Sequence, residues 1–195
     1  KIYVLIEEYA DPLRIVDLLR KDRSQATFTS AAGESALHLA LRTMDPSAHG
    51  MYQQMHDCIL ELVNYNPAGA RSQNHIGNTP VHLLLTRLSA FTPTAGARRQ
   101  SFTSAGSVSN SHGNLSHVID TLDTLIAEYP ACVRVKNGQG DLPLHVAARN
   151  TALEPNPERL AQGLPSAAEE LIVHLLEANA DATQQCNSSG DYPLH

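Results

Sequence analysis

The chain has 195 residues, 42% of them hydrophobic and 17% charged, which is enough apolar material to bury a core and excludes general disorder. Its net charge of −6 excludes a generic nucleic-acid binder, because no basic excess is available to neutralise phosphates. Aromatic residues make up only 5% and Trp is absent, while Leu and Ala dominate, which suits packed helices better than a sandwich of strands.

The chain begins at Lys1 inside an apolar run, Ile2 to Ile6, that is far too short to span a bilayer, and the chain is expected to be a piece of a longer one. A helix follows, with Ile15-Val16 one turn ahead of Leu18-Leu19 on one stripe. Gly33 then marks a tight turn, Ser35 is placed to cap a helix, and Ala36 to Ala40 continues that helix. Met44, Tyr52, Met55 and Ile59 form a helical stripe leading into Leu62-Val63. Gly77 marks a second turn, with Thr79 as cap and Pro80 at the first helical position, where its missing N–H costs nothing. From Ser89 to Asn114 the chain is Ser, Thr, Gly and Ala with almost no apolar content, and this insertion is expected to be disordered. A helix through Leu122 to Leu125-Ile126 precedes a third turn at Gly140 and a third helix start at Pro143. Pro155, Asn156, Pro157 and Pro165 break structure, and Ser166 to Glu169 reads as a capping box for a helix carrying Ile172-Val173 and Leu175-Leu176. A fourth turn at Gly190 and a Pro at 193 close the chain.

These elements repeat in register. Leu19 and Gly33, Val63 and Gly77, Ile126 and Gly140, and Leu176 and Gly190 are each 14 residues apart. In each case the Gly is followed five residues later by a His: His38, His82, His145 and His195. The remaining spacing varies, with 24 residues from His38 to Leu62, 43 from His82 to Leu125 and 30 from His145 to Leu175. Thr79-Pro80-Val81-His82 and Pro143-Leu144-His145-Val146-Ala147 resemble the opening of the ankyrin repeat, with Ser35 to Ala40 a softer match and Pro193-Leu194-His195 cut off. Leu142 and Tyr192 stand where the family has a capping Thr, so those helix starts are expected to be less well capped.

The resemblance implies an all-α, α-solenoid fold: an ankyrin-repeat array of helix-turn-helix units joined by β-hairpin loops. The whole chain, 1–195, reads as one domain, with the end of a first repeat over 1–29 and further repeats over 30–73, 74–136 (carrying the insertion 89–114) and 137–186. A truncated start of another occupies 187–195. A compact repeat of about 33 residues leaves roughly 10, 29 and 16 extra residues between the two helices of successive units, all on one edge. His38, His82, His145 and His195, together with Thr79, Pro80, Pro143 and Pro193, are then structural motif residues.

The function implied is a protein–protein interaction scaffold, without enzymatic activity or cofactor, that holds another protein on its concave hairpin and inner-helix face. The alternative is a regulatory segment of a larger signalling enzyme, a kinase or ubiquitin ligase, whose active site lies elsewhere. In the family the variable contact positions flank the turn Gly and follow the motif His. Carried over, they include Ala31, Ala32, Glu34, Arg42 and Thr43; His75, Ile76, Asn78, Thr86 and Arg87; Gly138, Gln139, Asp141, Arg149 and Asn150; and Ser188, Ser189 and Asp191. Arg42, Arg87 and Arg149 are expected to line up along the inner helices with Glu34, Asp141 and Asp191 at the turns. A fitting partner would set acidic groups against the former and basic groups against the latter.

Arg98-Arg99-Gln100-Ser101 resembles a basophilic kinase site, which makes Ser101 a candidate for phosphorylation. His56 and Cys58 lack the second cluster that a zinc site needs, and Gly138-Gln139-Gly140 lacks the third glycine and preceding strand of a phosphate cradle. No nucleophile–base motif occurs, and the triplets at Asn114 and Asn187 have no secretory context to make them glycosylation sites. Three cysteines, Cys58, Cys132 and Cys186, are an odd number with no close pair, which fits a reducing compartment. The expected location is cytoplasmic, with the nucleus open, and the expected state is monomeric without membrane insertion.

Overall fold

A computed structural model describes residues 2–7, 12–43, 52–86, 111–150 and 167–193. The fold is all-α over these residues, with one isolated antiparallel bridge between Thr29 and Ser35 and no strand. The helices are α1 (Ile2–Glu7), α2 (Pro12–Lys21), α3 (Ala36–Thr43), α4 (Tyr52–Tyr65), α5 (Pro80–Thr86), α6 (Ser111–Glu128), α7 (Pro143–Asn150) and α8 (Ala167–Ala178). Short 3₁₀ turns follow the even-numbered helices, over Arg23–Thr27, Pro67–Arg71, Pro130–Arg134 and Ala180–Gln184.

Two layers run through the molecule. In the first, α1 packs on α3, α3 on α5 and α5 on α7; in the second, α2 packs on α4, α4 on α6 and α6 on α8. Each first-layer helix also packs on the second-layer helix that follows it in sequence. The composition of the helices explains the division. Ala36 to Leu41, Pro80 to Leu85 and Pro143 to Ala147 are buried on every side, so these short helices form the middle of the core. The second-layer helices bury one stripe each: Ile15, Val16 and Leu19; Cys58, Ile59, Leu62 and Val63; Val118, Leu122 and Leu125; Leu171 and Leu175. Their other faces are solvated and carry polar links between neighbours: Arg20 pairs with Glu61 at 3.4 Å, and His174 Nδ1 lies 3.0 Å from Asp123 Oδ1. A further link, His56 Nδ1 to the buried Thr121 Oγ1 at 3.3 Å, lies at the packed side.

Proline sets three of the helix starts and two of the stops. Pro12, Pro80 and Pro143 open α2, α5 and α7, where no N–H is needed. Pro67 and Pro130 cannot continue α4 and α6 and instead begin the 3₁₀ turns. Between successive 3₁₀ turns, Asn66 Nδ2 donates to the Ala26 carbonyl at 3.0 Å and Asn179 Nδ2 to the Val133 carbonyl at 3.3 Å. The sequence places the middle insertion at 89–114, whereas α6 begins at Ser111, so its last four residues are helical. Once Val118 and Leu122 anchor the helix in the core, adding residues to its start fixes one residue per hydrogen bond and needs no new nucleus. The rest of that insertion, Met44, and the prolines from 155 to 165 lie outside the described residues.

Candidate functional site

The four turns share one backbone design. Gly33, Gly77, Gly140 and Gly190 all have φ between 74° and 87°, the left-handed region that side chains disfavour. Three residues ahead of each Gly stands a Ser or Asn whose side-chain oxygen accepts two backbone N–H groups. Ser30 Oγ takes those of Ala32 and Glu34 at 3.2 and 3.1 Å, and Asn74 Oδ1 takes those of Ile76 and Asn78 at 3.2 and 3.0 Å. Asn137 Oδ1 takes those of Gln139 and Asp141, both at 2.9 Å, and Asn187 Oδ1 those of Ser189 and Asp191 at 2.9 and 3.0 Å. These side chains reinforce a backbone closure of each turn, in which the N–H of Ser30, Asn74, Asn137 and Asn187 donates to the carbonyl of Glu34, Asn78, Asp141 and Asp191 at 2.8, 3.0, 2.9 and 2.9 Å. Hydrophobic patterning does not single out Ser30, Asn74, Asn137 and Asn187, although they share one register with the glycines.

Each turn is tied to the next. His75 N–H donates to the Ala32 carbonyl at 3.0 Å, Gly138 N–H to that of Ile76 at 3.1 Å and Ser188 N–H to that of Gln139 at 3.1 Å. The approach is close enough that a Cβ on Gly138 would meet the Ile76 carbonyl oxygen at 2.5 Å, and one on Gly77 would collide with the backbone of Gly138. Side chains strengthen the ties, with Asn137 Nδ2 donating to Asn78 Oδ1 at 3.0 Å and Asn187 Nδ2 to Asp141 Oδ1 at 2.9 Å.

Beneath the turns lies a row of buried imidazoles. Nδ1 of His38, His82 and His145 accepts the backbone N–H of Ser35, Thr79 and Leu142 at 3.2, 3.3 and 3.1 Å. A ring nitrogen that accepts carries no proton, so the proton is on Nε2, which donates to the carbonyl of Asn78, Asp141 and Asp191 at 3.0, 3.0 and 3.1 Å. Each acceptor belongs to the next turn along. The hydroxyls of Ser35 and Thr79 add contacts to Nδ1 at 2.8 and 2.7 Å, and Leu142 has none to offer, but its N–H still finds the ring. Burial pushes the imidazoles of His38 and His82 below their ordinary pKa, against a smaller upward pull from the carbonyl each one bonds. Pro80, Thr79, Pro143 and Pro193 are buried in the same row, and His195 lies outside the described residues.

The residues expected to contact a partner are distributed unevenly. Ala31, Ala32, His75, Gly138, Gln139, Ser188 and Ser189 are exposed at the turn tips, and Ile76 is 66% exposed. The His75 imidazole lies against Gly33, where a Cβ would meet its Cδ2 at 2.6 Å. Asn78 is half-buried between turns, and Asn150 Nδ2 donates to the Leu85 carbonyl at 3.4 Å.

The charges differ from expectation. Arg42 pairs with Glu34 at 3.3 Å, and Arg149 holds both oxygens of Asp141 at 3.2 and 3.0 Å. The Asp141 side chain is only 1% exposed and has no surface to offer a partner. The expected segregation of arginines from turn carboxylates is therefore replaced by pairs, since an unpaired carboxylate at that depth would be costly. Arg42 and Arg149 follow their motif His by four residues, the place that Thr86 occupies in the second unit; Arg87 is one position out of that register. Arg87 and Ser101 lie outside the described residues.

Cys58 and Cys132 are buried, and desolvation raises both thiols to about 12, while Cys186 is exposed. No helix among the described residues is long and apolar enough to cross a membrane. Comparison of the chain with protein-family models and with curated proteins finds no match.

Proposed function

We propose that the chain is part of an ankyrin-type α-solenoid, with hairpin turns between units, whose work is to bind another protein through the turn tips and the adjoining ends of α3, α5 and α7. The observation that carries this reading is the contrast between framework and tip. The turn Gly, the Ser or Asn ahead of it and the backbone bond to the next turn recur, while the two tip residues change from Ala31-Ala32 to His75-Ile76, Gly138-Gln139 and Ser188-Ser189. A rigid row of backbones presenting unlike side chains suits recognition of an extended surface. Ile76, the most exposed of the large hydrophobic side chains among the described residues, adds an apolar contact of the kind that anchors interfaces.

The reading is tested by placing a photoreactive p-benzoylphenylalanine at position 76 or 139, and in separate variants at 17 on α2 or 173 on α8, in the source cells. Irradiation is expected to give adducts with one shared protein from 76 and 139 and none from 17 and 173. No adduct from the tips, or equal adducts from all four positions, rejects it.

A further inference from the structure

Charge is divided along the second layer. α4, α6 and α8 carry acidic residues and no lysine or arginine. The 3₁₀ turns after α2, α4 and α6 have the opposite bias, each with one arginine and no carboxylate: Arg23, Arg71 and Arg134. These turns lie side by side, since Asn66 at the second donates to the Ala26 carbonyl in the first, and Gln73 Nε2 past the second donates to the Lys136 carbonyl past the third at 3.0 Å. The arginines therefore form a row along one edge, at the C-terminal ends of the second-layer helices.

All three are exposed, and none is paired with a carboxylate among the described residues. Two are held in place all the same. The Arg23 guanidinium lies over the Tyr65 ring at 5.1 Å and that of Arg71 over the Tyr129 ring at 5.9 Å, each ring belonging to the next unit. A ring occupies the face of a guanidinium and leaves its in-plane N–H groups open to an incoming acceptor. The flanking acids do not quench the row: the Asp22 oxygens hold Ser24 and Gln25, and Glu128 is in no ion pair among the described residues.

The pattern of charge decides what the edge can take. A guanidinium edge matches a carboxylate through two parallel N–H bonds. One such group per unit is too sparse to neutralise successive phosphates of a nucleic acid, and the acidic helices beside the row repel a long polyanion. An extended polypeptide with carboxylates at intervals meets neither obstacle. We propose that this edge docks an acidic segment of another protein, laid across three successive turns with carboxylates on Arg23, Arg71 and Arg134. The surface is separate from the turn tips, and its test does not depend on them.

The test uses the 195-residue chain and fluorescein-labelled deca-glutamate, read by anisotropy at low ionic strength. Saturable binding is expected, with a dissociation constant on the order of 0.1 mM. Deca-glutamine should bind at least about tenfold more weakly. Arg71→Gln and Arg134→Gln should each weaken deca-glutamate binding by about threefold or more. Arg14→Gln removes the same charge from the exposed start of α2 and should change affinity by less than about twofold. A purely structural role for the stacks would lower the unfolding midpoint of Arg71→Gln and leave the peptide affinity alone. Arg134 has no stacked ring among the described residues, so Arg134→Gln should keep the parent's midpoint and still lose affinity. Equal binding of deca-glutamine, unchanged affinity in Arg71→Gln and Arg134→Gln, or an equal loss in Arg14→Gln overturns the proposal. So does displacement of the peptide by an oligothymidylate of the same charge at equal or lower concentration.

Discussion

The Nε2–H of His82 donates to the backbone carbonyl of Asp141 across 59 residues of sequence, at 3.0 Å. That bond joins the helix start of one unit to the turn of the next, while the other ring nitrogen closes the Thr79 backbone within its own unit. His82→Ala therefore leaves the buried Thr79 N–H without a partner and takes one of two donors from the Asp141 carbonyl, which keeps the Asn137 N–H at 2.9 Å. At about 1–3 kcal/mol for the orphaned group and about 1 kcal/mol for the lost bond, a loss of roughly 2–4 kcal/mol is expected in urea unfolding. A loss below about 1 kcal/mol would show that the imidazole does not couple the units.

The same burial makes stability depend on pH. His38 and His82 are held below the ordinary value of 6.5, chiefly by desolvation, so between the folded and unfolded values the unfolded chain binds protons that the folded chain refuses. Their contribution is complete above about pH 6.5 and is lost as pH falls through the folded values, by up to about 1.4 kcal/mol per pH unit for each ring. Urea midpoints measured from pH 7.5 to 5 should fall steadily. A flat profile would contradict neutral, buried rings.

Two glycines with similar backbone angles should respond differently to alanine. Gly77 and Gly190 have φ of 77° and 87°, so each substitution incurs the left-handed penalty of about 1–2 kcal/mol. At Gly77 the new methyl also collides with the backbone of Gly138, whereas at Gly190 it meets nothing within 4 Å. Gly77→Ala should lose at least about 1 kcal/mol more than Gly190→Ala in chemical denaturation. Equal losses would mean that successive turns are not in contact.

The thiols give a third view of the packing. Cys58 and Cys132 are buried and raised to about 12, so neither supplies thiolate at neutral pH. Ellman's reagent should titrate one thiol in the native protein, Cys186, and three in urea. Rapid native reaction of more than one thiol would show the core to be open.

Local rules made the helices legible: the spacing from apolar pair to Gly, proline at a first helical position, and the stripes ending at Leu19, Val63, Ile126 and Leu176. The turn residues Ser30, Asn74, Asn137 and Asn187 were equally present in the sequence, but their role depends on backbone donors two and four residues on, which hydrophobic patterning does not reveal. Charge was harder to read. Glu34 with Arg42 and Asp141 with Arg149 are eight residues apart, outside the helical neighbour spacing, and they meet only because the turn folds back over the helix end. The depth of Asp141 follows from contact with Asn187 in the next turn, which no single unit contains. Reversing the charge of Arg42 or Arg149 would set carboxylate against carboxylate and disturb folding and binding together.

Uncharged positions are thus the better probes of binding at the turn tips. The most direct measurement is the affinity of the crosslinked partner for Ile76→Asp, Gln139→Ala and Val173→Asp variants, each first shown to unfold at the parent's midpoint. Ile76→Asp is expected to weaken binding at least about tenfold, Gln139→Ala to weaken it less, and Val173→Asp to leave it unchanged. Loss of binding through Val173→Asp with Ile76→Asp unaffected would contradict this expectation and move the working surface to the second-layer helices.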